Sequence, residues 1–320
     1  MSSTEQIDCC IPVACAGMRL DQALAELLPA YSRSRLQQWL KAGQLRVNGQ
    51  IWRPRNPVAG GEIVSGELML ATETIAMPQA IPLDIRYEDA DLLIVNKPAG
   101  LVAHPAAGNR DGTLVNALLH RAPELETLPR AGLVHRLDKD TTGLLVVARS
   151  LRAHTALVEQ LQARTMAREY LAVVTGVLVA GGTINAPIGR HPVDRQRMAV
   201  TPSGKPAVTH YRLLRRFRAH TLLRVKLETG RTHQIRVHMA HLRWPLLGDP
   251  VYGGRPRLPP DASSRCIAVI QQFGRQALHA ERLALTHPAS GERLEWRAEP
   301  PADLAELLAA LAEDGEAGYE

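Results

Sequence analysis

The feature that most limits what this chain can fold into is a set of short, apolar, β-branched runs through its larger part. They are Leu92-Leu93-Ile94-Val95, Leu144-Leu145-Val146-Val147, Tyr170 to Val174, and the alternating Leu223-Arg224-Val225-Lys226-Leu227. Each is too short for an ordinary helix and too apolar for a loop, so each reads as a strand. Helical periodicity appears between them, over Leu151 to Leu161 and Thr232 to Leu242. In the second of these Thr232 is placed to cap the helix, Ile235, Met239 and Leu242 would face a core, and Arg236 would project elsewhere. The prediction is an α+β domain over residues 82–301, with a mixed, mainly antiparallel sheet. Spacing alone leaves the strand order open.

At 320 residues the chain exceeds the roughly 250–300 at which one core stops growing, so a second domain is expected. Residues 18–68 supply it as a small αα-β unit. Leu20, Ala23, Leu24, Leu27 and Leu28 mark one amphipathic helix. Ser32 or Ser34 can cap a second, which turns Leu36, Trp39 and Leu40 inward and Arg33, Arg35 and Lys41 outward. Gly43 stops that helix, and Leu45-Arg46-Val47 then meets the hairpin signal Asn48-Gly49. Residues 69–81 read as a linker, 1–17 as an irregular segment, and 302–320 as an acidic tail.

The charge is segregated. Formal net charge is +6, and Tyr31 to Arg55 holds six basic residues (Arg33, Arg35, Lys41, Arg46, Arg53 and Arg55) with no acid. Gly204 to Pro245 holds ten basic residues against Glu228 alone, whereas Ala302 to Glu320 has six carboxylates and no Lys or Arg. Two basic stretches favour a polyanionic partner, nucleic acid ahead of a membrane surface. Trp39 and Trp52 could stack on bases, but Trp39 lies on the apolar face and reads as core. Cys9, Cys10, Cys15 and Cys266 form neither a disulfide framework nor a zinc-knuckle spacing. No apolar run reaches the ~20 residues of a membrane span, and a cytoplasmic monomer is the expectation.

Polar clusters sit at the ends of three of the strands. Asn96-Lys97-Pro98-Ala99-Gly100-Leu101 follows the first run, His135-Arg136-Leu137-Asp138-Lys139-Asp140 precedes the second, and Thr229 to His238 follows the fourth. Alone, the group around Asp138 reads most plainly as a charged turn whose members satisfy one another. Three such clusters together are what a site assembled from separate segments looks like. His233, His238 and His241 invite a metal, but no suitably spaced carboxylate joins them and Arg236 stands among them, so none is expected.

Together these segments resemble the RluA-type pseudouridine synthases. The likeness also runs through Arg168-Glu169-Tyr170, Leu247 to Gly253, and Arg275 to Ala280, with Thr142 where the family often has serine. The segment Arg19 to Leu24, continuing through Ser32-Arg33-Ser34-Arg35 to Val47-Asn48-Gly49, resembles an S4 domain, a module associated with structured RNA.

The resemblance implies an enzyme that isomerises uridines in large-subunit (23S) ribosomal RNA, free or in an assembling subunit. Members joining an S4 domain to this catalytic domain point to the helix 69 stem-loop. The reaction has no net redox change and no group donor, so no cofactor is implied. Asp138 would be the essential carboxylate, kept ionised by a bidentate pair with Arg236. Attack on the sugar, attack on the base, and removal of a sugar proton all fit it. Tyr170 would stack on the uracil and serve in proton transfer. Arg136 would fill the space left by the extruded nucleotide, and His135 would orient. Arg33, Arg35, Lys41, Arg46 and Arg53 would meet RNA. Two other classes compete: a noncatalytic S4-domain ribosome-assembly factor, and a hydrolase using His135 and Asp138 as acid and base.

Overall fold

The computed structural model describes residues 4–29, 31, 33–69, 76–105, 109–194 and 197–316. The chain forms two compact units, Met1–Glu73 and Thr74–Glu320.

The first unit contains β1 (Thr4–Cys10), α1 (Leu20–Leu27), α2 (Arg33–Ala42), β2 (Arg46–Val47) and β3 (Ile63–Met69). Its antiparallel sheet has the order β1-β3-β2. Leu20, Ala23 and Leu24 of α1 meet Leu36, Trp39 and Leu40 of α2 over Val47 and Val64, so the helical stripes close one core and Trp39 belongs to it. Gly43 follows α2 at φ +71, the left-handed conformation that ends a helix cheaply only in glycine. Asn48 and Gly49 both have positive φ while Val47 and Gln50 exchange hydrogen bonds of 2.8 and 2.9 Å, a tight turn of the kind expected.

Within the segment expected to be irregular, Thr4–Cys10 is a strand instead. Ile7 and Ile11 are buried and Cys9 partly so, a period-two pattern that the neighbouring cysteines disguise, and β1 pairs with β3 from Thr4 to Cys10. The capping role given to Ser32 and the side chains of Ser34 and Arg35 lie outside the described residues.

In the second unit the elements run β4 (Asp84–Glu88), β5 (Leu92–Lys97), α3 (Leu114–Arg121), β6 (Thr142–Ala148), α4 (Leu151–Gln162), β7 (Ala167–Thr175), β8 (Gly182–Asn185), β9 (Ile188–Arg190), β10 (Met198–Val200), β11 (Val208–Arg216), β12 (His220–Leu227), α5 (Gln234–His241), α6 (Ser264–Gln272), β13 (Leu278–Thr286), β14 (Arg293–Arg297) and α7 (Ala302–Glu316). Among the described residues nine strands make one sheet, β4-β5-β6-β13-β7-β12-β11-β8, with β14 beside β13. The β6–β13 pair is parallel and the others are antiparallel.

Leu93, Val95, Leu145 and Val147 pack toward α3, while Leu92, Ile94, Leu144 and Val146 pack with Ala153 and Leu157 of α4. Burial on both faces is why these strands read as unbroken apolar runs. The parallel contact requires Gly143, whose φ is +110 and where a Cβ would lie 2.3 Å from the Ala280 carbonyl oxygen.

Three further segments differ from expectation. Residues 302–316 are a helix rather than a tail, because Leu304, Leu307 and Leu311 recur at helical spacing and bury against Ile270 and Val173. Of the stretch read as a linker, residues 70–75 lie outside the described residues. Ala76 is buried in the second unit's core, and Asn116 Nδ2 donates to the Met77 carbonyl at 2.8 Å. Thr232 does not cap α5: His233 stands at its N-terminus at φ +56, with no side-chain cap.

Candidate active site

Asp138 lies in the turn that enters β6, where Thr141 N–H closes onto the Asp138 carbonyl at 3.1 Å. Three buried side chains fasten that turn from other segments. Lys97 Nζ donates to the carbonyls of Pro98, Leu101 and Lys139 at 2.7, 2.9 and 2.8 Å, tying the loop after β5 to the Asp138 loop. Burial brings its pKa down to about 8, although Asp140 and Asp138 pull the other way. Gln276 donates to Thr141 Oγ1 at 3.0 Å. Arg275 donates to the Asp140 carbonyl at 3.2 Å and is itself gripped by Asp303 of α7 at 2.6 and 2.8 Å.

The Asp138 carboxylate is partly exposed. Its Oδ2 accepts from Arg236 Nη1 at 3.1 Å, and its Oδ1 stands 3.9 Å from His233 Nε2. Arg236, in the first turn of α5, is therefore the counter-ion, but not through the expected two-pronged pair. Asp249 takes the fork, accepting from Nε at 2.7 Å and Nη2 at 2.9 Å. The reason is geometric. Asp249 is fully buried in a turn where Val251 and Tyr252 N–H groups also bind its Oδ1, so it meets the guanidinium edge squarely, whereas Asp138 reaches the remaining nitrogen. Burial alone would raise the pKa of Asp249, but Arg236 and the two backbone donors bring it below the usual carboxylate range. Arg236, despite burial, is held firmly protonated by Asp249 and Asp138. One fixed cation thus serves two anions.

His233 adds a further contact. Its Nδ1 lies 2.8 Å from the Tyr252 hydroxyl, which accepts the Met198 N–H at 3.0 Å, and Arg236 sits over the Tyr252 ring at 5.1 Å.

Asp138, His233 and Arg236 line a cleft of about 760 Å³ with Tyr170, Arg136, Arg130, Arg164, Arg168 and Arg231. Tyr170 is buried in the main core, and burial lifts its hydroxyl pKa. Arg136 is exposed at the cleft. His135 Nε2 accepts the Val146 N–H at 3.1 Å, and burial, then the Arg168 charge, bring its pKa down to about 3. A neutral ring committed to the backbone orients the loop and has no free lone pair at Nε2 for acid–base work.

Among the described residues no cluster of His, Cys, Asp or Glu has the arrangement of a metal site. His238 spends Nδ1 on Thr209 Oγ1 and Nε2 on the Ala186 carbonyl, at 2.9 Å each.

In the first unit, buried Asp21 accepts from Arg19 at 3.0 and 2.8 Å, from Arg33 at 2.9 Å, and from Gln37. Burial works to raise its pKa, yet Arg33 and Arg19 bring it to about 2. Arg33 therefore clamps the two helices as well as presenting charge. Lys41, Arg46 and Arg53 are exposed.

Residues 91–241 match the RNA pseudouridylate synthase family and residues 18–64 the S4 domain. Over 304 residues the chain is 59% identical to ribosomal large subunit pseudouridine synthase D of Xanthomonas campestris, covering 95% of this chain and 92% of that protein. The chain belongs to the pseudouridine synthase family. It is also 57% identical over 301 residues to ribosomal large subunit pseudouridine synthase D of Escherichia coli, 94% of this chain and 92% of that one. Human RNA pseudouridylate synthase domain containing 4 shares the fold with a TM-score of 0.56 at 27% identity, over 71% of this chain and 92% of its own. This chain is accordingly a pseudouridine synthase with an N-terminal S4 domain. Sequence reasoning passed over Asp249, His233, Tyr252, Lys97 and Arg168 as site residues of the synthase. All five lie in segments of the family likeness or in the polar strand-end clusters, but such residues are common in loops and nothing local assigned them a role.

Proposed function

We propose that this synthase converts uridine to pseudouridine in large-subunit (23S) ribosomal RNA, with the helix 69 stem-loop as target and Asp138 as the essential carboxylate. The observation that carries the reading is the state of Asp138 in the cleft. One oxygen is fixed by Arg236, and the other accepts no protein hydrogen bond among the described residues. The ribosomal target rests on likeness over nearly the whole chain to ribosomal large subunit pseudouridine synthases D.

The chemistry follows from the side chains. A uridine in a duplex reaches such a cleft only by leaving its stack, at a cost of a few kcal/mol, roughly. Arg136, exposed at the cleft, is suited to fill the vacated space. Tyr170 offers its ring to the uracil and its hydroxyl for the late proton transfer. Asp138, paired with Arg236, acts on the nucleotide to release the base, which rotates and rejoins through carbon. No electron or group donor enters this balance. Lys41, Arg46 and Arg53 are suited to phosphate contacts in the S4 domain. The protein would act as a cytoplasmic monomer.

The test incubates the protein with unmodified large-subunit rRNA, without metal or cofactor, and maps pseudouridine by chemical modification and primer extension. Helix 69 uridines should convert, and Asp138→Asn should reduce the rate by more than about a thousandfold. Conversion only at other sites would remove the helix 69 assignment. Undiminished activity of Asp138→Asn would remove the catalytic role.

A further inference from the structure

Arg168 lies on β7 two residues before Tyr170 and lines the same cleft. It is 6% exposed, yet it is almost unpartnered. Its Nη2 donates to the Glu228 carbonyl at a long 3.4 Å, and its Nε has no hydrogen-bond partner. Neighbouring carboxylates are engaged elsewhere. Glu169 binds Arg282 and approaches Arg224, while the Glu228 carboxylate binds Arg164 and His210. The guanidinium lies against Gly230, where a Cβ would stand 2.9 Å from Arg168 Nη1. The charge reaches the site, since it depresses the His135 pKa and opposes the burial-driven rise at Tyr170.

A guanidinium withdrawn from water without a carboxylate is unfavourable unless an anion completes it. Within this cleft the choice of anion is narrow. Uracil and ribose are neutral, so the charged part of an extruded nucleotide is its phosphodiester. The planar fork of arginine suits two phosphate oxygens. We propose that Arg168 binds a phosphodiester flanking the target uridine and thereby sets how far the nucleotide enters the cleft. This differs from the contacts open to exposed Arg136, because a buried fork fixes one phosphate rather than attracting the strand at large.

The test changes both sides of the contact. A synthetic RNA stem-loop on which wild-type turnover has been recorded is prepared with a neutral methylphosphonate at each phosphate around the target uridine in turn. At one position the wild type should lose roughly ten- to a hundredfold in kcat/KM. Arg168→Met should lose a similar factor on unmodified RNA, and the two losses should not add. Arg168→Lys should recover part of the loss, because it keeps the charge without the fork. The log–log salt slope of RNA binding should fall by roughly 0.7–0.9 in Arg168→Met.

Additive losses at every position would overturn the assignment and leave Arg168 as a brace for the Glu228 loop. A wild-type scan in which no neutral phosphate lowers turnover would also overturn it, whether or not the variant folds. Since the RNA is already a substrate, neither outcome can be confused with a wrong ribosomal target.

Discussion

At the scale of single residues, the site economises on charge. Two carboxylates share Arg236, and the one beside the cleft receives the smaller share. Such an arrangement keeps Asp138 close to a fixed cation without sealing both of its oxygens. His135 shows what the surrounding turn demands of a titratable group. Its folded pKa of about 3 lies below the ordinary 6.5, so the native state refuses a proton that the unfolded chain accepts. Its contribution to stability is therefore complete above pH 6.5 and is lost progressively as pH falls through that range toward 3. The loss approaches about 1.4 kcal/mol per pH unit while only the unfolded chain is protonated. Urea unfolding at about pH 7 and about pH 5 should show a smaller acid loss in His135→Gln than in wild type. Equal losses in the two proteins would contradict the neutral, backbone-bound ring.

At the scale of elements, the Asp138 turn is held by parts distant in sequence. Lys97 comes from the end of β5, Gln276 and Arg275 from the segment before β13, and Asp303 from α7. α7 thus supports the Asp138 turn through Arg275 as well as covering apolar surface. Asp303 is about half exposed, so its ion pair adds little to stability, on the order of 1 kcal/mol. Asp303→Ala should lower Tm by no more than ~4 °C. It should nevertheless reduce kcat a few fold with KM nearly unchanged, read by single-turnover assays on an RNA stem-loop. An unchanged kcat would restrict α7 to packing. A period of 3.6 among Leu304, Leu307 and Leu311 was visible in the sequence, but the run of carboxylates around it reads equally well as a solvated tail. Only the surface that those leucines cover decides between the two readings.

At the scale of the whole molecule, the cleft and the S4 domain occupy separate units. Every residue lining the cleft lies within Thr74–Glu320, and Met1–Glu73 carries its own core. Removing residues 1–73 should leave a folded second unit, judged by circular dichroism and a cooperative melt. RNA affinity and site selection should fall more than kcat on a stem-loop at saturation. A truncated enzyme with unchanged rRNA affinity and specificity would refute the S4 role.

What the sequence determined by itself were features decided by neighbours along the chain. Apolar runs buried on both sheet faces, the stripes of α1 and α2, the Asn48-Gly49 turn, and the family motif around Asp138 all carry their signal within a few residues. The Asp138–Arg236 pairing came from the family likeness, and it survived in altered form. The tertiary structure decided whatever depends on residues far apart: the pairing of β1 with β3, the parallel β6–β13 contact, the capture of the Arg236 fork by Asp249, and the burial of Arg168 with its Nε unsatisfied. The physical reason is that hydrogen bonds and ion pairs depend on distance and direction in space. A sequence lists the donors and acceptors, but the fold alone determines which of them meet.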